Sequence, residues 1–183
     1  MKRRQALISL GAMSSPWLHA ADNTALTRLL IAGACAVMVR HAQTEPGVGD
    51  PANFRLGACE TQRNLSEQGR AQAIRLGQWF AANQLRPSRV RSSQWCRCRD
   101  TAQLAFGQQT ELEALNSSFD HPGQQGPRTA ALQALLQAIP AGQFEVWVTH
   151  QVNMTAMTGE WPATGEAFVV SAQGRLLGRQ HFA

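Results

Sequence analysis

The sequence has no apolar run long enough to cross a bilayer, which takes about 20 residues, so a transmembrane helix is excluded and no stable membrane insertion is expected. It has no internal repeat and no low-complexity tract, which excludes a repeat array or a polar linker protein. It offers no glycine-rich Walker-type loop and no Asp/Glu/His cluster at metal-ligand spacing. Chemistry without a metal or other cofactor is therefore expected. Charge is also scarce: 16% of residues are charged against 44% hydrophobic, the balance of a globular chain rather than a disordered one. The net charge of +5 overstates the basicity, because Lys2, Arg3 and Arg4 crowd the start with no acid near them. Setting those three aside leaves 14 basic residues against 12 acidic ones, too mild an excess for a nucleic-acid or membrane-surface partner. What remains, at 183 residues, suffices for one domain with a proper core.

The start of the chain reads as an export signal over residues 1–21: a charged opening, a short apolar run from Ala6 to Met13, and a small-residue exit at Leu18-His-Ala20-Ala21. The paired Arg3-Arg4 fits a twin-arginine signal, and an ordinary secretory signal fits nearly as well. Residues 22–183 would then form a single periplasmic or secreted bacterial domain. Export puts the four cysteines, Cys35, Cys59, Cys96 and Cys98, in an oxidising compartment where pairing is expected. Four cysteines allow three full pairings. Cys96 and Cys98 lie too close on one helix to pair, so the expected bridge runs from Cys59 to one of them. Zinc is disfavoured, because Cys96-x-Cys98 is shorter than the usual ligand spacing. Cys35 reads as the start of a buried strand.

Along the chain, residues 22–34 read as a short helix or lead-in. Cys35 to Val39 is a continuous apolar run, the pattern of a strand buried on both faces. The polar, Gly/Pro-rich loop from Ala42 to Asn64 is long enough to be functional. Ser66 can cap a helix with Glu67 in its first turn, and Ala73, Leu76 and Phe80 share its inner face. Arg89 to Ser92 is a candidate strand, and Trp95 to Phe106 a helix. A short element, Leu112 to Leu115, lies inside the polar stretch 107–128. Leu132, Leu135, Leu136 and Ile139 mark the clearest helix. Glu145 to Thr149 is a strand running into His150, with a helix from Val152 to Thr158. Ala167 to Val170 and Arg175 to Leu177 form a hairpin at a sheet edge. Strands alternating with helices imply an α/β fold: three layers, α/β/α, around a mostly parallel sheet with helices on both faces.

Such a sheet gathers chemistry at the carboxyl ends of its strands. That rim collects Arg40, His41, the segment Arg91 to Arg97, and His150. Two guanidinium forks match phosphate oxygens, and an unprotonated imidazole is a competent nucleophile whose protonation neighbouring arginines oppose. A second histidine can donate to the charge spread over a phosphoryl group in the transition state.

Four segments then resemble, in order, the blocks of the histidine phosphatase superfamily, the phosphoglycerate mutase-like proteins. Val39-Arg40-His41-Ala42-x-Thr44 is similar to its Arg-His-Gly signature. Leu65-Ser-Glu-Gln-Gly69-Arg-Ala-Gln72-Ala resembles its Leu-x-x-x-Gly-x-x-Gln-Ala helix start. Ser92-Ser93-Gln-Trp-Cys-Arg97-Cys-Arg-Asp-Thr101-Ala102 resembles its Ser-Ser-x-x-x-Arg-x-x-x-Thr-Ala block, and Val148-Thr-His150 the segment with the second histidine.

The resemblance implies that His41 is phosphorylated, that Arg40, Arg97 and His150 complete a phosphate pocket, and that Thr44 and Gln151 support it. It implies a phosphomonoester hydrolase using a phosphohistidine, or a mutase. An exported branch of the family includes heptose phosphatases of the lipopolysaccharide core, so a phosphorylated small molecule or glycolipid is the expected substrate. The chain departs from the pattern at the general acid: Ser117 stands where many members have Glu, and Gln151 where another branch has Asp. Asp120 is the first candidate, Glu113 the second and Glu166 the third. A domain with this pocket but no effective acid would bind phosphate or regulate rather than turn over.

Overall fold

The computed structural model describes residues 17–182. Of the expected export signal, residues 1–16 lie outside the described residues, and 17–21 open helix α1 (Trp17–Ala32). Among the described residues, no helix is long and apolar enough to cross a membrane.

The chain continues through β1 (Cys35–Arg40), α2 (Glu67–Ala82), β2 (Arg89–Ser92), α3 (Cys96–Phe106), β3 (Thr110–Glu111), α4 (Gln125–Gln137), β4 (Phe144–Thr149), α5 (Gln151–Thr158), β5 (Glu166–Ser171) and β6 (Leu176–His181). Six strands form one sheet in the order β3-β2-β4-β1-β5-β6. The first four in that order run parallel, while β5 and β6 are antiparallel to their neighbours. Every residue of β4 and β5 is buried, as an apolar, β-branched run between two helical layers requires.

Alternation along β1 divides the core. Cys35, Val37 and Val39 face α1, α2 and α3 through Leu30, Leu76, Phe80 and Ala102. Ala36 and Met38 face α4 and α5 through Leu132, Leu136 and Met154, with Trp147 and Phe168 beside them. The expected three layers are therefore present, with the C-terminal hairpin adding an antiparallel end. The strand β3 has no sequence signature: both its residues are exposed, and it exists because the chain leaving α3 pairs with Arg91 and Ser92.

Register places the site. Arg40 lies opposite Thr149 and Ser92 opposite Val148. Beyond the strands, the His41 amide donates to the Thr149 carbonyl at 3.0 Å and the Ser93 amide to the Val148 carbonyl at 2.9 Å. His41, Ser93 and His150 thus leave three adjacent parallel strands at one level, the crevice expected at the carboxyl ends of such strands.

Helix α2 holds the loop that leaves β1. Ser66 caps the helix by accepting from the Gly69 amide. Gly69 lets the loop lie against the helix: a Cβ there would sit 1.8 Å from the Gln43 carbonyl oxygen. Gln72 accepts from the Gln43 amide and donates to the Thr164 carbonyl, both at 3.0 Å. The resemblance to the Gly-x-x-Gln helix start thus has a physical basis, since both residues fasten the segment after His41.

Cys59 is bridged to Cys96, while Cys35 and Cys98 are free and buried. Of the two partners expected for Cys59, Cys96 opens α3 and faces the loop. Cys98 points inward, its Sγ 3.6 Å from the Thr149 carbonyl oxygen. The bridge spans 37 residues of chain, so it restricts the unfolded ensemble by about 2–4 kcal/mol. The Cys59→Ser/Cys96→Ser variant is expected to unfold at lower denaturant by that amount in equilibrium urea melts. An unchanged midpoint would contradict a stabilising role.

Candidate active site

A cavity of about 330 Å³ opens at the strand ends, with Arg40, His41, Arg63, Arg97, His150 and Gln151 among its lining residues. Three guanidinium groups and two imidazoles thus share one small space. His41 and His150 are each 4% exposed, and their rings meet edge to face with centroids 5.5 Å apart.

The partners of each histidine fix its tautomer. His41 Nδ1 lies 2.9 Å from the Ala42 carbonyl oxygen. A carbonyl only accepts, so Nδ1 carries the proton and Nε2 holds the lone pair. His150 Nδ1 lies 3.5 Å from Arg97 Nη2, a donor only, so Nδ1 accepts and Nε2 carries the proton. That proton points to Ser93 Oγ at 2.9 Å. Ser93 passes its own hydrogen to Asn116 Oδ1 at 3.1 Å, and Asn116 is held in turn by Gln94.

Burial pushes the His41 pKa from 6.5 down to about 3, with the positive charges of Arg97, Arg40 and Arg63 adding to it, against a small rise from the Ala42 hydrogen bond. His150 is lowered well below its ordinary value by burial, then by Arg97, His41, Arg40 and Arg128. Both imidazoles are therefore held neutral in the site before an anion binds.

Arg97 is nearly buried and paired with Asp50, its Nη1 2.8 and 3.0 Å from the two carboxylate oxygens. Asp50 also accepts from the Trp95 indole at 2.9 Å and the Arg63 amide at 3.0 Å. Burial alone would raise the Asp50 carboxyl, but the Arg97 hydrogen bond and charge, with the other donors, outweigh it and hold it below the usual value. Arg40 Nη1 donates to the Pro162 carbonyl at 2.9 Å. Arg63 donates to the Gly49 carbonyl at 2.8 Å and to the Thr44 hydroxyl.

The Nε atoms of Arg40 and Arg97 are buried without a hydrogen-bond partner. Leaving such a donor unpaired costs about 1–3 kcal/mol, a cost that gathering the arginines here carries. At the start of α5, the amides of Gln151 and Val152 precede the first hydrogen bonds of the helix, and both residues line the cavity. Helix N-termini favour anions through these free donors. A tetrahedral oxyanion fits this donor set.

Among the expected residues, Arg40, His41, Arg97, His150, Gln151 and Asp120 all line the cavity. Thr44 stands behind it, 8% exposed, with its hydroxyl accepting from Arg63; its support of the pocket is indirect. Glu113 does not line the cavity. Glu166 is committed elsewhere: it accepts from Arg179 Nε at 2.6 Å and the Ala163 amide at 2.7 Å. Arg91 is also absent from the crevice, because it pairs with Glu145 at 2.7 Å.

The sequence reading missed Asp50, Arg63, Ser93 as the partner of His150, and Asn116. Asp50 and Arg63 sit in a loop with no periodicity. Ser93 and Asn116 act through contacts 57 and 23 residues away in sequence. The one usable signal was the Gly49-Asp50-Pro51 turn, a carboxylate held in a tight turn of the loop that follows Arg40-His41.

Residues 36–117 match the histidine phosphatase superfamily (branch 1). No curated protein sequence matches the chain. Among solved structures, the protein histidine phosphatase SixA complexed with tungstate superposes with a TM-score of 0.57 at 16% identity, over 80% of this chain and 96% of that one. SixA from Agrobacterium tumefaciens, a putative phosphohistidine phosphatase, gives 0.57 at 22% identity, over 80% and 97%. The phosphoglycerate mutase from Thermus thermophilus gives 0.58 at 19% identity, over 81% and 99%. At these identities the likeness is one of fold.

The buried histidines make stability depend on pH. Above 6.5 neither the folded nor the unfolded chain holds a proton on His41. As pH falls from 6.5 toward about 3, the unfolded chain takes up a proton that the folded site refuses. Stability is therefore lost in that window, at roughly 1 kcal/mol per pH unit for the group. Urea melts from about pH 7 to about pH 4.5 should show this fall, and His41→Asn should flatten it. An equal slope in the variant would contradict the buried neutral imidazole.

Proposed function

From the premise that this chain carries the histidine phosphatase superfamily (branch 1) sequence over residues 36–117 on the phosphoglycerate mutase-like fold, we propose that it is a phosphomonoester hydrolase working through a phosphohistidine on His41. The observation that carries this reading is the Nδ1–H of His41 donating to the Ala42 carbonyl at 2.9 Å, which leaves Nε2 unprotonated in a cavity lined by arginines. The structural neighbour SixA was solved with tungstate, a tetrahedral oxyanion like phosphate.

In this mechanism the His41 Nε2 lone pair attacks phosphorus as the bond to the ester oxygen breaks. Arg40 and Arg97, both lining the cavity, hold the phosphoryl oxygens. Phosphate charge beside His150 favours its protonated form, and Nδ1–H then donates to a phosphoryl oxygen in place of the Arg97 contact. Ser93 and Asn116 keep the ring in place meanwhile. The leaving oxygen takes a proton from Asp120, the cavity-lining acid not bound to an arginine; Asp50 is held ionised by Arg97 and cannot serve. Water, losing a proton to the Asp120 carboxylate left by the first step, then attacks the phosphohistidine; the N–P bond breaks, phosphate leaves, and neutral His41 and the Asp120 acid are restored.

The heptose phosphate implied by the family resemblance is one candidate substrate, and the comparisons do not single it out. Export remains part of the proposal. The Cys59–Cys96 bridge supports it, since stable disulfides belong to oxidising compartments.

His41→Ala should abolish hydrolysis of aryl and alkyl phosphates in steady-state assays. Asp120→Asn should slow an alkyl phosphate by about 10²–10⁴-fold, the usual contribution of a proton donor. A nitrophenyl ester, whose leaving group needs no proton, should be slowed far less. Hydrolysis by His41→Ala at the wild-type rate would overturn the proposal. Tight vanadate binding without turnover in the wild type would replace it with a phosphate-binding, regulatory role.

A further inference from the structure

Large apolar side chains exposed to water are few among the described residues, and three of them line one cavity: Val48 at 90% exposure, Phe119 at 57% and Trp161 at 67%. They come from three separate segments: the loop after β1, the turn before α4, and the connection from α5 to β5. None of them belongs to the clusters that form the core, so packing does not require them. A Phe or Trp side chain carries about 150–250 Å² of burial when covered, and here that surface is left in water at the mouth of the site.

The backbones at Val48 and Trp161 are nonetheless fixed to the phosphate cradle, and that at Phe119 is held by its own turn. Val48 lies two residues before Asp50, which binds Arg97, and next to Gly49, whose carbonyl accepts from Arg63. Trp161 precedes Pro162, whose carbonyl accepts from Arg40, and its own carbonyl accepts from Arg179 at 3.2 Å. The Phe119 amide donates to Ser117 Oγ at 3.2 Å, and the Ser117 carbonyl accepts from Arg128 at 2.7 Å. The arginines of the cradle therefore also set where Val48 and Trp161 stand. Outside the cluster of arginines, histidines and Asp50, the polar lining side chains are Ser117, Asp120 and Gln151, and Gln151 is engaged with Thr155 at 2.9 Å.

We infer that the phosphomonoester carries a flat, weakly polar leaving group, an aromatic ring joined to the phosphate through a short carbon link, which lies against Trp161 and Phe119 while the phosphate sits on Arg40 and Arg97. A polyol would leave the exposed faces of Trp161 and Phe119 uncovered, so the inference turns away from a sugar phosphate. It rests on the phosphatase reading above for the position of the phosphate. One aromatic contact of this kind multiplies affinity by roughly two- to tenfold.

The test compares benzyl phosphate with ethyl phosphate, whose leaving alcohols are similar in acidity. It also compares benzylphosphonate with ethylphosphonate, which bind without turnover, by calorimetry. The wild type should favour the benzyl compound by about tenfold in kcat/KM, chiefly through KM, and similarly in phosphonate affinity. In Trp161→Ala/Phe119→Ala the ratio should fall to near one in both measurements. Equal treatment of the two compounds by the wild type, or a preference that survives the double substitution, overturns the inference. Phosphonate discrimination without turnover of either ester overturns the phosphatase reading and leaves the aromatic subsite standing.

Discussion

A buried guanidinium holds the site together. Arg97 enters the cavity from the first turn of α3, binds Asp50 through Nη1 and reaches His150 through Nη2. Asp50 is the one carboxylate the cavity ties to an arginine, against three arginines lining it, so positive charge is in excess before any substrate arrives. That excess has two effects. It adds to burial in holding His41 and His150 neutral, and it leaves the cavity, with three guanidinium groups, ready for an anion. Both are what an anion-transferring site needs: a nucleophile with a free lone pair, and donors already aligned before binding. Asp50 limits the repulsion among the arginines while staying ionised.

The same interaction explains the disulfide. The loop from residue 42 to 64 carries Asp50 and Arg63, and a segment this rich in glycine has little reason of its own to settle over a cationic cavity. It is fastened at one end by Gln72 and Ser66 on α2 and at the other by Cys59 to Cys96, the residue next to Arg97. The covalent tie and the ion pair fix the loop and the arginine to one another. Val48 takes its position from this frame.

The sequence made part of this visible, and the division has a physical cause. Strands β1 and β4 are buried on both faces, so burial shows as continuous apolar runs, and their last residues could be read as rim residues. Parallel pairing then brought Arg40, His41 and His150 together without further information. Ser66, Gly69 and Gln72 were legible as a pattern, although their task of clamping Gln43 was not. Asp50, Arg63 and Asn116 were illegible because each acts across a long loop through a single side chain, leaving no periodicity. Thr44 and Glu166 show where such reading stops: the supporting role implied for Thr44 is exerted through Arg63, and Glu166, the third candidate acid, answers Arg179 instead. The exposed Trp161 and Phe119 could be found only once exposure and the cavity were known together.

The central claim is that His41 Nε2 becomes covalently phosphorylated. Rapid mixing with a phosphomonoester, alkaline quenching, proteolysis and peptide mass spectrometry test it most directly, with phosphorus NMR to assign the nitrogen. The account predicts one acid-labile phosphoryl group, on the peptide containing His41 and bonded to Nε2. Phosphate on His150, on Nδ1 of His41, or turnover with no trapped phosphoenzyme would contradict it.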